Sequence, residues 1–398
     1  MLSDSITVFK SGVAIGVLKI RSDNCEFIYY QDFSEKPKLD RLTFDPSVCW
    51  QKPDEAGAAL LRFFWGLLPE GERMQELADR LGVKTTDHVS ILNALGRGVI
   101  GDVKIYSASK ETDFDLPRAR EVDFYQHFQN LQNGKLILPG EEFFPGQQPK
   151  FSTSTLKFST NVVKNRHKYF IKLDTASRKG LAENEAVCME LAGKCGIDCA
   201  ETRLVKDCNA NVALLVKRFD CVWNNTDDCF SYSHLEDSCQ VLGVWPEQKD
   251  QISLNDIANG ISRISPVPAA SILKILQRYA FSYVIGNGEY SCRDISMMQR
   301  PQSDLVELSP AYDLVCTCIY GDESMALSLN GQANSFKRGD LLEFAREWQV
   351  PEAVTERMLD SLISRILRFL DLLWKIPMDS SILPGYKKLV LSRMKDLT

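Results

Sequence analysis

Strand-like and helical patterns occupy different parts of this chain, and this separation constrains the fold more than any other feature. Up to Asp220, most apolar residues fall in short runs of the strand type with helices inserted between them. After Ser253, two stripes at helical spacing follow: Ile272, Ile275, Leu276, Tyr279, Ala280, Tyr283 and Val284, then Val354, Met358, Leu362, Ile366, Phe369, Leu370 and Leu373. A sheet-rich half followed by a helical half predicts an α+β fold with two lobes.

The predicted elements before Asp220 begin with a small antiparallel meander over 6–30, where Gly and Asn/Asp separate three runs. The other elements predicted there are helices around 58–68 and 74–81, strands at 155–158 and 168–173, a helix at 183–195, and strands at 201–206 and 212–220. A polar stretch at 107–150, punctuated by Pro and Gly, predicts a domain boundary or mobile loop.

We therefore expect three domains. They are an N-terminal β/α subdomain at 1–106, a sheet-rich lobe at 107–220 and a helical lobe at 221–398.

Composition excludes several classes of protein. With 44% hydrophobic and 25% charged residues, the chain has ordinary globular composition. Its N-terminus lacks the basic and apolar regions of a leader, and no run reaches the roughly 18 apolar residues of a membrane span, so we expect a cytoplasmic protein. Twelve cysteines without zinc spacing predict mostly reduced thiols. A net charge of −6 disfavours direct contact with DNA.

The segment 75–92 superficially resembles a helix-turn-helix, with a Gly at the turn and Thr/Asp before the second helix. It lacks the basic residues that a groove-facing helix places against phosphate. A helical hairpin packed on the sheet is the favoured interpretation.

Acidic residues follow the first helical stripe at positions that suit phosphoryl transfer. Glu289 and Asp294 lie in a loop after a Gly-Asn turn, and Asp313 follows a strand-like run. One carboxylate can orient an attacking hydroxyl, and further oxygens can hold magnesium. Taken alone, three loop acids would more often simply face water.

Upstream residues supply cations for phosphate. Gly146, Gln147, Gln148, Pro149 and Lys150 form a short loop whose backbone N–H groups and lysine could bind phosphate oxygens, although a plain turn also explains it. Lys172 lies on a strand with Phe170 on its face, and an acidic helix start, Glu183-Asn184-Glu185, follows. The alternative for Lys172 is an exposed strand lysine.

These motifs, in this order, resemble the HipA-like serine/threonine kinases, whose members are toxins of type II toxin–antitoxin pairs. The resemblance spans nearly the whole chain and includes these segments: Leu67-Leu68-Pro69-Glu70-Gly71, Leu95 to Gly98 with Gly101, Gly146 to Lys150, Ile171-Lys172-Leu173, Lys217-Arg218-Phe219-Asp220, His234 to Gln240, and Ser309-Pro310-Ala311-Tyr312-Asp313.

The resemblance implies a protein-kinase-like fold with ATP and Mg²⁺ between its lobes. Lys172 would hold the α- and β-phosphates, with Glu185 on the following helix, and Asp313 would bind magnesium. The backbone of Lys217, Arg218 and Phe219 would lie along the adenine, and Ser291 and Tyr312 would also contact ATP.

The catalytic loop departs from the family pattern, which is Asn-Thr-Asp-x-His-x-Lys-Asn. This chain has Asn287-Gly288-Glu289-Tyr290-Ser291-Cys292-Arg293-Asp294. Glu289 keeps the carboxylate of the base but reaches one methylene further, and Arg293 keeps the positive charge. Asp294 replaces the asparagine as a second magnesium ligand.

Two functional hypotheses follow from the resemblance. The first is a kinase toxin that phosphorylates a protein, with an aminoacyl-tRNA synthetase as the first candidate substrate. Its expected partner is a small HipB-like antitoxin that binds DNA, so that DNA is reached only through the antitoxin. The second is a pseudokinase that binds nucleotide and acts as partner or co-repressor. An unrelated α+β protein with chance matches is the remaining interpretation.

Overall fold

A computed structural model describes residues 5–21, 24–30, 42–45, 62–96, 99–106, 116–132, 148–159, 162 and 166–398. The chain forms two compact units. The first unit comprises Met1–Leu173, Val205–Glu236 and Gln299–Asp304, and the second comprises Asp174–Leu204, Asp237–Met298 and Leu305–Thr398. The division into three domains expected from the sequence, with its two boundaries, stays a prediction.

The first unit begins with an antiparallel sheet of order β3-β2-β1-β4. Its strands are β1 (Ser5–Lys10), β2 (Val13–Arg21), β3 (Asn24–Tyr29) and β4 (Val103–Tyr106). The strands β1, β2 and β3 pair as consecutive antiparallel neighbours. The meander predicted for residues 6–30 is therefore confirmed.

Three helices pack on this sheet: α1 (Arg62–Trp65), α2 (Glu72–Leu81) and α3 (His88–Leu95). Their apolar faces share one core with the strands, in which Leu77, Ile91 and Leu92 are buried beside Val8 and Leu18. Since the segment 75–92 buries its apolar face in this core, the interpretation as a helical hairpin packed on the sheet is confirmed.

A second sheet of the first unit has the order β5-β6-β8-β7. The helix α4 (Phe124–Gln132) precedes its strands, which are β5 (Lys150–Ser152), β6 (Tyr169–Lys172), β7 (Thr202–Lys206) and β8 (Val212–Lys217). One face of this sheet packs against α4 in a core that contains Phe124, Phe151, Ile171 and Leu215. Because side chains alternate along each strand, the residues between these core positions point to the other face of the sheet.

The strand predicted at 155–158 is wrong. Residues Thr153–Thr155 form a 3₁₀ helix instead. The Ser152 hydroxyl accepts a hydrogen bond from the Ser154 N–H (3.2 Å), and Thr155 Oγ1 donates to the Ser152 carbonyl (2.8 Å). These local bonds to Ser and Thr side chains compete with a sheet ladder and turn the chain.

The first unit ends in strands that the sequence pattern did not indicate. A hairpin of β9 (Cys221–Asn224) and β10 (Cys229–Tyr232) precedes β11 (His234–Asp237). The buried His234 lies between two carboxylates, with Nδ1 2.7 Å from Asp102 and Nε2 2.8 Å from Glu236. Burial opposes protonation, and so does Lys10, but the two carboxylates outweigh them and raise the pKa of His234.

Asp220 is a buried carboxylate at the end of the second sheet. The Arg218 guanidinium donates to both of its oxygens (3.0 and 2.6 Å), and the Gly101 N–H donates to Oδ2 (2.8 Å). Burial alone would raise the pKa of Asp220, but these partners outweigh it and hold the pKa at about 2. The chain at β8 is thus tied to the segment before β4.

The second unit is mainly helical. Its helices are α5 (Leu181–Lys194), α6 (Ser238–Leu242), α7 (Leu254–Ile264), α8 (Pro268–Ile285), α9 (Arg338–Glu347), α10 (Glu352–Arg368) and α11 (Leu383–Asp396). The paired strands β12 (Ser296–Gln299) and β13 (Val306–Leu308) follow α8. The 3₁₀ helices are Pro246–Gln251, Cys292–Asp294, Cys318–Tyr320 and Leu370–Lys375.

The first predicted helical stripe is buried along its whole length, from Ile272 to Val284 on α8. On α10, Leu362 and Ile366 are buried as predicted, and Leu359 joins them in place of the half-buried Met358. Of the helices in the described ranges, none combines the length and the apolar character that a bilayer crossing requires.

We predict that Asp220→Asn lowers the free energy of unfolding by about 3–5 kcal/mol, because it leaves the buried Arg218 charge without its counterion. The full decrease in the free energy of unfolding should appear above roughly pH 4, and it should become smaller towards pH 2, because the carboxylate stabilises the fold only where it stays ionised. Urea denaturation across this pH range measures it. The exposed turn variant Asp228→Asn is the control, and equal stabilities of the two variants would contradict the prediction.

Candidate functional site

Two lysines lie side by side on the sheet face of the first unit that points away from the α4 core. In the antiparallel register, Lys150 of β5 is directly opposite Lys172 of β6. Their exposed fractions are only 7% and 2%. Phe170 shares this face with them because it lies two residues before Lys172. The structure therefore excludes the alternative of an exposed strand lysine at position 172.

The loop predicted before Lys150 is described only in part. Gly146 and Gln147 lie outside the described residues. Gln148 Nε2 donates to the carbonyl of Leu173 (2.9 Å), and the carbonyl of Pro149 accepts from the Leu173 N–H (2.9 Å). The last part of the loop is thus fastened beside the end of β6.

The segment predicted to lie along an adenine base has its side chains committed elsewhere. Lys217 is opposite Tyr169, on the face opposite to Lys172. The Arg218 guanidinium is bonded to Asp220, and the backbone N–H of Arg218 donates to the Lys168 carbonyl (2.9 Å). Phe219 is half-buried. The Arg218 side chain thus stabilises the fold, and the backbone of this segment is the candidate for recognising a base.

In the second unit, α8 ends at Gly286 with a left-handed turn, and the altered loop follows. The Gly288 N–H donates to Thr317 Oγ1 (2.7 Å), and its carbonyl accepts from the Ala326 N–H (2.7 Å). A Cβ at this glycine would lie 2.6 Å from the carbonyl oxygen of Ser324 and 2.8 Å from that of Asp322. The loop backbone therefore passes too close to this segment for any larger residue.

Ser291 and Asp294 close the loop on itself. Asp294 Oδ2 accepts from the N–H of Ser291 (2.8 Å) and from its hydroxyl (3.0 Å). Burial raises the pKa of Asp294 to about 6, although Ser291, Lys249 and Arg293 lower it. The serine at the family's histidine position thus serves as a cap for the acid at the asparagine position.

Arg293 has a partner that sequence reasoning did not single out as a site residue. Its Nε lies 3.2 Å from Asp237 Oδ2. The other oxygen of Asp237 accepts from the Gln240 N–H (2.9 Å) and caps α6. Beside it, the Sγ atoms of Cys239 and Cys292 are 2.8 Å apart. Both contacts attach the loop to α6. Asp237 is part of the segment His234 to Gln240, which resembles a family motif, but no role was assigned to it from the sequence.

Glu289 is held by another residue that sequence reasoning missed. Arg178, which precedes α5, donates through both terminal nitrogens to the two carboxylate oxygens, with 2.7 Å between Nη1 and Oε2. The Glu289 side chain remains 45% exposed. Nothing in the sequence near Arg178 indicated this pairing, because the two residues are 111 positions apart.

Tyr312 connects the altered loop to Asp313. Its hydroxyl donates to the Arg293 carbonyl (2.8 Å) and lies 2.5 Å from Ser296 Oγ. Asp313 has a φ of 55°, in the left-handed region that is costly for residues other than glycine. Such strain is characteristic of functional sites. Burial raises the pKa of Tyr312, so its hydroxyl stays a donor.

The acidic start of α5 contributes a buried amide as well as an acid. Glu185 is buried on α5. Asn184 forms two bonds with the backbone of Cys316: Nδ2 donates to its carbonyl (2.8 Å) and Oδ1 accepts from its N–H (2.9 Å). Asn184 therefore fixes the segment that follows Asp313, a role hidden within the quoted triplet.

Within the described residues, no group of three or more His, Cys, Asp or Glu side chains is arranged to hold a metal. Magnesium in nucleotide sites needs few protein ligands, because it keeps waters and binds phosphate oxygens. Asp294 and Asp313 supply oxygen ligands of the right type in one unit. The donor set thus fits a metal that arrives with a nucleotide.

The comparisons with known proteins agree on one family. A profile of the HipA N-terminal domain matches residues 6–106, and a profile of the HipA-like C-terminal domain matches residues 143–369. The Sinorhizobium fredii protein Y4mE is 27% identical over 358 residues, 84% of each chain. The serine/threonine-protein kinase toxin HipA of Shewanella oneidensis is 26% identical over 339 residues, 77% of this chain and 74% of that protein.

A solved structure supports the same fold. The Shewanella oneidensis MR-1 toxin–antitoxin complex of HipA, HipB and operator DNA matches with a TM-score of 0.72 at 21% identity, covering 98% of this chain and 96% of that chain. This match confirms the predicted α+β, kinase-like fold. Because the C-terminal profile alone covers more than half of the residues, the chain belongs to the HipA-like family.

Proposed function

We propose that this protein is an ATP- and Mg²⁺-dependent serine/threonine protein kinase and acts as the toxin of a toxin–antitoxin pair. The observation that carries the proposal is the strained Asp313, whose neighbour Tyr312 is bonded to the loop of Glu289 and Asp294. A left-handed aspartate is retained at a cost, and metal binding at this position would explain why.

The paired lysines support the nucleotide part of the proposal. Lys150 and Lys172 bring two cationic side chains to adjacent positions on one face of the sheet. Hydrogen bonds from such cations to phosphate oxygens are charge-assisted and strong. Backbone groups at 217–219 would receive the base, since the side chains there are engaged in the fold.

The loop supplies groups for the transfer itself. Glu289 carries a carboxylate that would accept the proton of a substrate hydroxyl, and Asp294 and Asp313 would hold Mg²⁺. The metal would neutralise charge on the phosphates. Arg293, fixed by Asp237, would place a further positive charge beside the loop.

A HipB-like antitoxin that binds DNA is the proposed partner. The support is the likeness to the toxin that was solved with HipB and operator DNA. The net charge of −6 fits contact with DNA only through such a partner. An aminoacyl-tRNA synthetase remains the first candidate substrate from the family resemblance, and the cytoplasmic location stays a prediction.

The alternative is a nucleotide-binding pseudokinase that serves as partner or co-repressor. Two observations favour it: Asp294 Oδ2 is used to cap its own loop, and both oxygens of Glu289 are bonded to Arg178. Each engagement competes with the catalytic use of the same atoms.

We predict that Asp313→Asn abolishes phosphoryl transfer and toxicity and leaves the melting temperature unchanged. Asparagine tolerates the left-handed backbone as well as aspartate, so the loss would report the missing carboxylate charge. Incubation with magnesium and γ-labelled ATP, beside growth on induction, measures both effects. Toxicity that survives in this variant would overturn the proposal that the protein is a toxin kinase.

We predict that Lys172→Met weakens ATP binding by about 10–100-fold, the value of a charged hydrogen bond. Lys206→Met is the matched control, because this lysine is exposed at the end of β7 and lies outside the proposed ATP-binding residues. Isothermal titration with ATP gives both dissociation constants. Equal losses in the two variants would show that the lysine face is not the phosphate site.

The pseudokinase alternative predicts a different pattern. The wild type would bind ATP but transfer no label to itself or to cell-extract proteins. Glu289→Asp combined with Asp294→Asn restores two of the family's side chains and should then create transfer. Transfer by the wild type that depends on Asp313 would exclude this alternative.

A further inference from the structure

The Glu289 side chain is longer than the family's aspartate, whereas the loop backbone on both sides of it is fixed. The backbone on one side is fixed by the two bonds of Gly288, and on the other side Tyr290 is buried. Glutamate has one more rotatable bond than the family's aspartate. Because displacement by about 1 Å can cost on the order of a hundredfold in rate, a base at this position needs an external restraint.

Arg178 provides that restraint. Its planar fork meets the carboxylate with two parallel bonds, a geometry that fixes direction as well as distance. The guanidinium also lies over the Tyr320 ring, 5.8 Å from its centroid. Arg178 belongs to a different segment of the chain. It therefore restrains the Glu289 carboxylate from outside the loop.

The segment that carries Arg178 is itself fixed. The Arg178 N–H donates to Thr175 Oγ1 (3.1 Å), and Asp174 accepts from the N–H groups of Gly180 (2.6 Å) and Ala182 (2.9 Å). The Tyr320 hydroxyl donates to the Lys179 carbonyl (3.3 Å). Arg178 thus lies in a turn that these hydrogen bonds fix at the start of α5.

Titratable groups of both signs surround Glu289. Arg178, Asp322 and Tyr320 are the titratable groups that interact here, and Arg178 is the cation among them. Burial and the neighbouring Glu289 raise the pKa of Asp322, whereas Glu289 raises the pKa of Arg178. A carboxylate has about four lone-pair sites, and the fork uses two, so the others can still receive a proton.

We propose that Arg178 is the positioning residue for Glu289, which it holds in the direction of the substrate hydroxyl in place of the family's shorter aspartate. This inference rests on the proposed kinase function. It assigns to the turn before α5 a role in catalysis without contact with ATP.

The experiment compares the full-length wild type with Arg178→Gln, Arg178→Lys, Glu289→Gln and the double variant Arg178→Gln/Glu289→Gln. Transfer of label from ATP to dephosphorylated casein gives kcat and the KM for ATP across a pH series. Arg357→Gln, on the exposed face of α10, is the matched control. Thermal melting of each variant checks that it folds.

We expect Arg178→Gln to lower kcat by about 10–100-fold with the KM for ATP unchanged. Arg178→Lys, which keeps the charge and loses the fork, should recover part of the rate. In the Glu289→Gln background, Arg178→Gln should have no further effect.

Three results would overturn the positioning role: an unchanged kcat in Arg178→Gln, a raised kcat, which would make the ion pair an inhibitory contact, or additive losses in the double variant. A wild type that transfers no label to casein, to itself or to cell-extract proteins is a different result. It would overturn the proposed kinase function, and the positioning role with it.

Discussion

The buried carboxylate of Asp220 is the constraint on which the first unit depends. Removing such a charge from water is costly, and the Arg218 fork with the Gly101 N–H offsets that cost only when β8 and the segment before β4 are both in place. The same bonds commit the Arg218 side chain to the fold. The Arg218 side chain is therefore not available to a ligand at this edge.

Sheet register has a comparable effect on the sheet face that carries Lys150 and Lys172. A shift of one residue in β5 would move Lys150 to the core face and Phe151 to the lysine face. The apolar α4 core thus specifies the position of a polar pair that it does not touch. The core face and the lysine face of this sheet are thus fixed together by the alternation of one short strand.

Much of the fold was predictable from local pattern, because the meander, α5 and the α8 stripe follow periodicity that tertiary contacts reinforce. The acids Glu289, Asp294 and Asp313 could be recognised for the same reason, because they lie close together in the sequence. Asp237, Asn184 and Arg178 were not identified as partners, because each acts on residues far away in the chain. The predicted strand at 155–158 failed where hydroxyl groups bonded their own backbone.

Gly288 limits which residues the loop can accept. The family pattern has threonine at this position, and the close carbonyls of Asp322 and Ser324 leave no space for its Cβ. A threonine at this one position is therefore sterically barred unless the 322–324 segment moves as well. The loop and that segment are matched to each other, so the family's residues can be grafted into this loop only together with a different path of the segment that faces it.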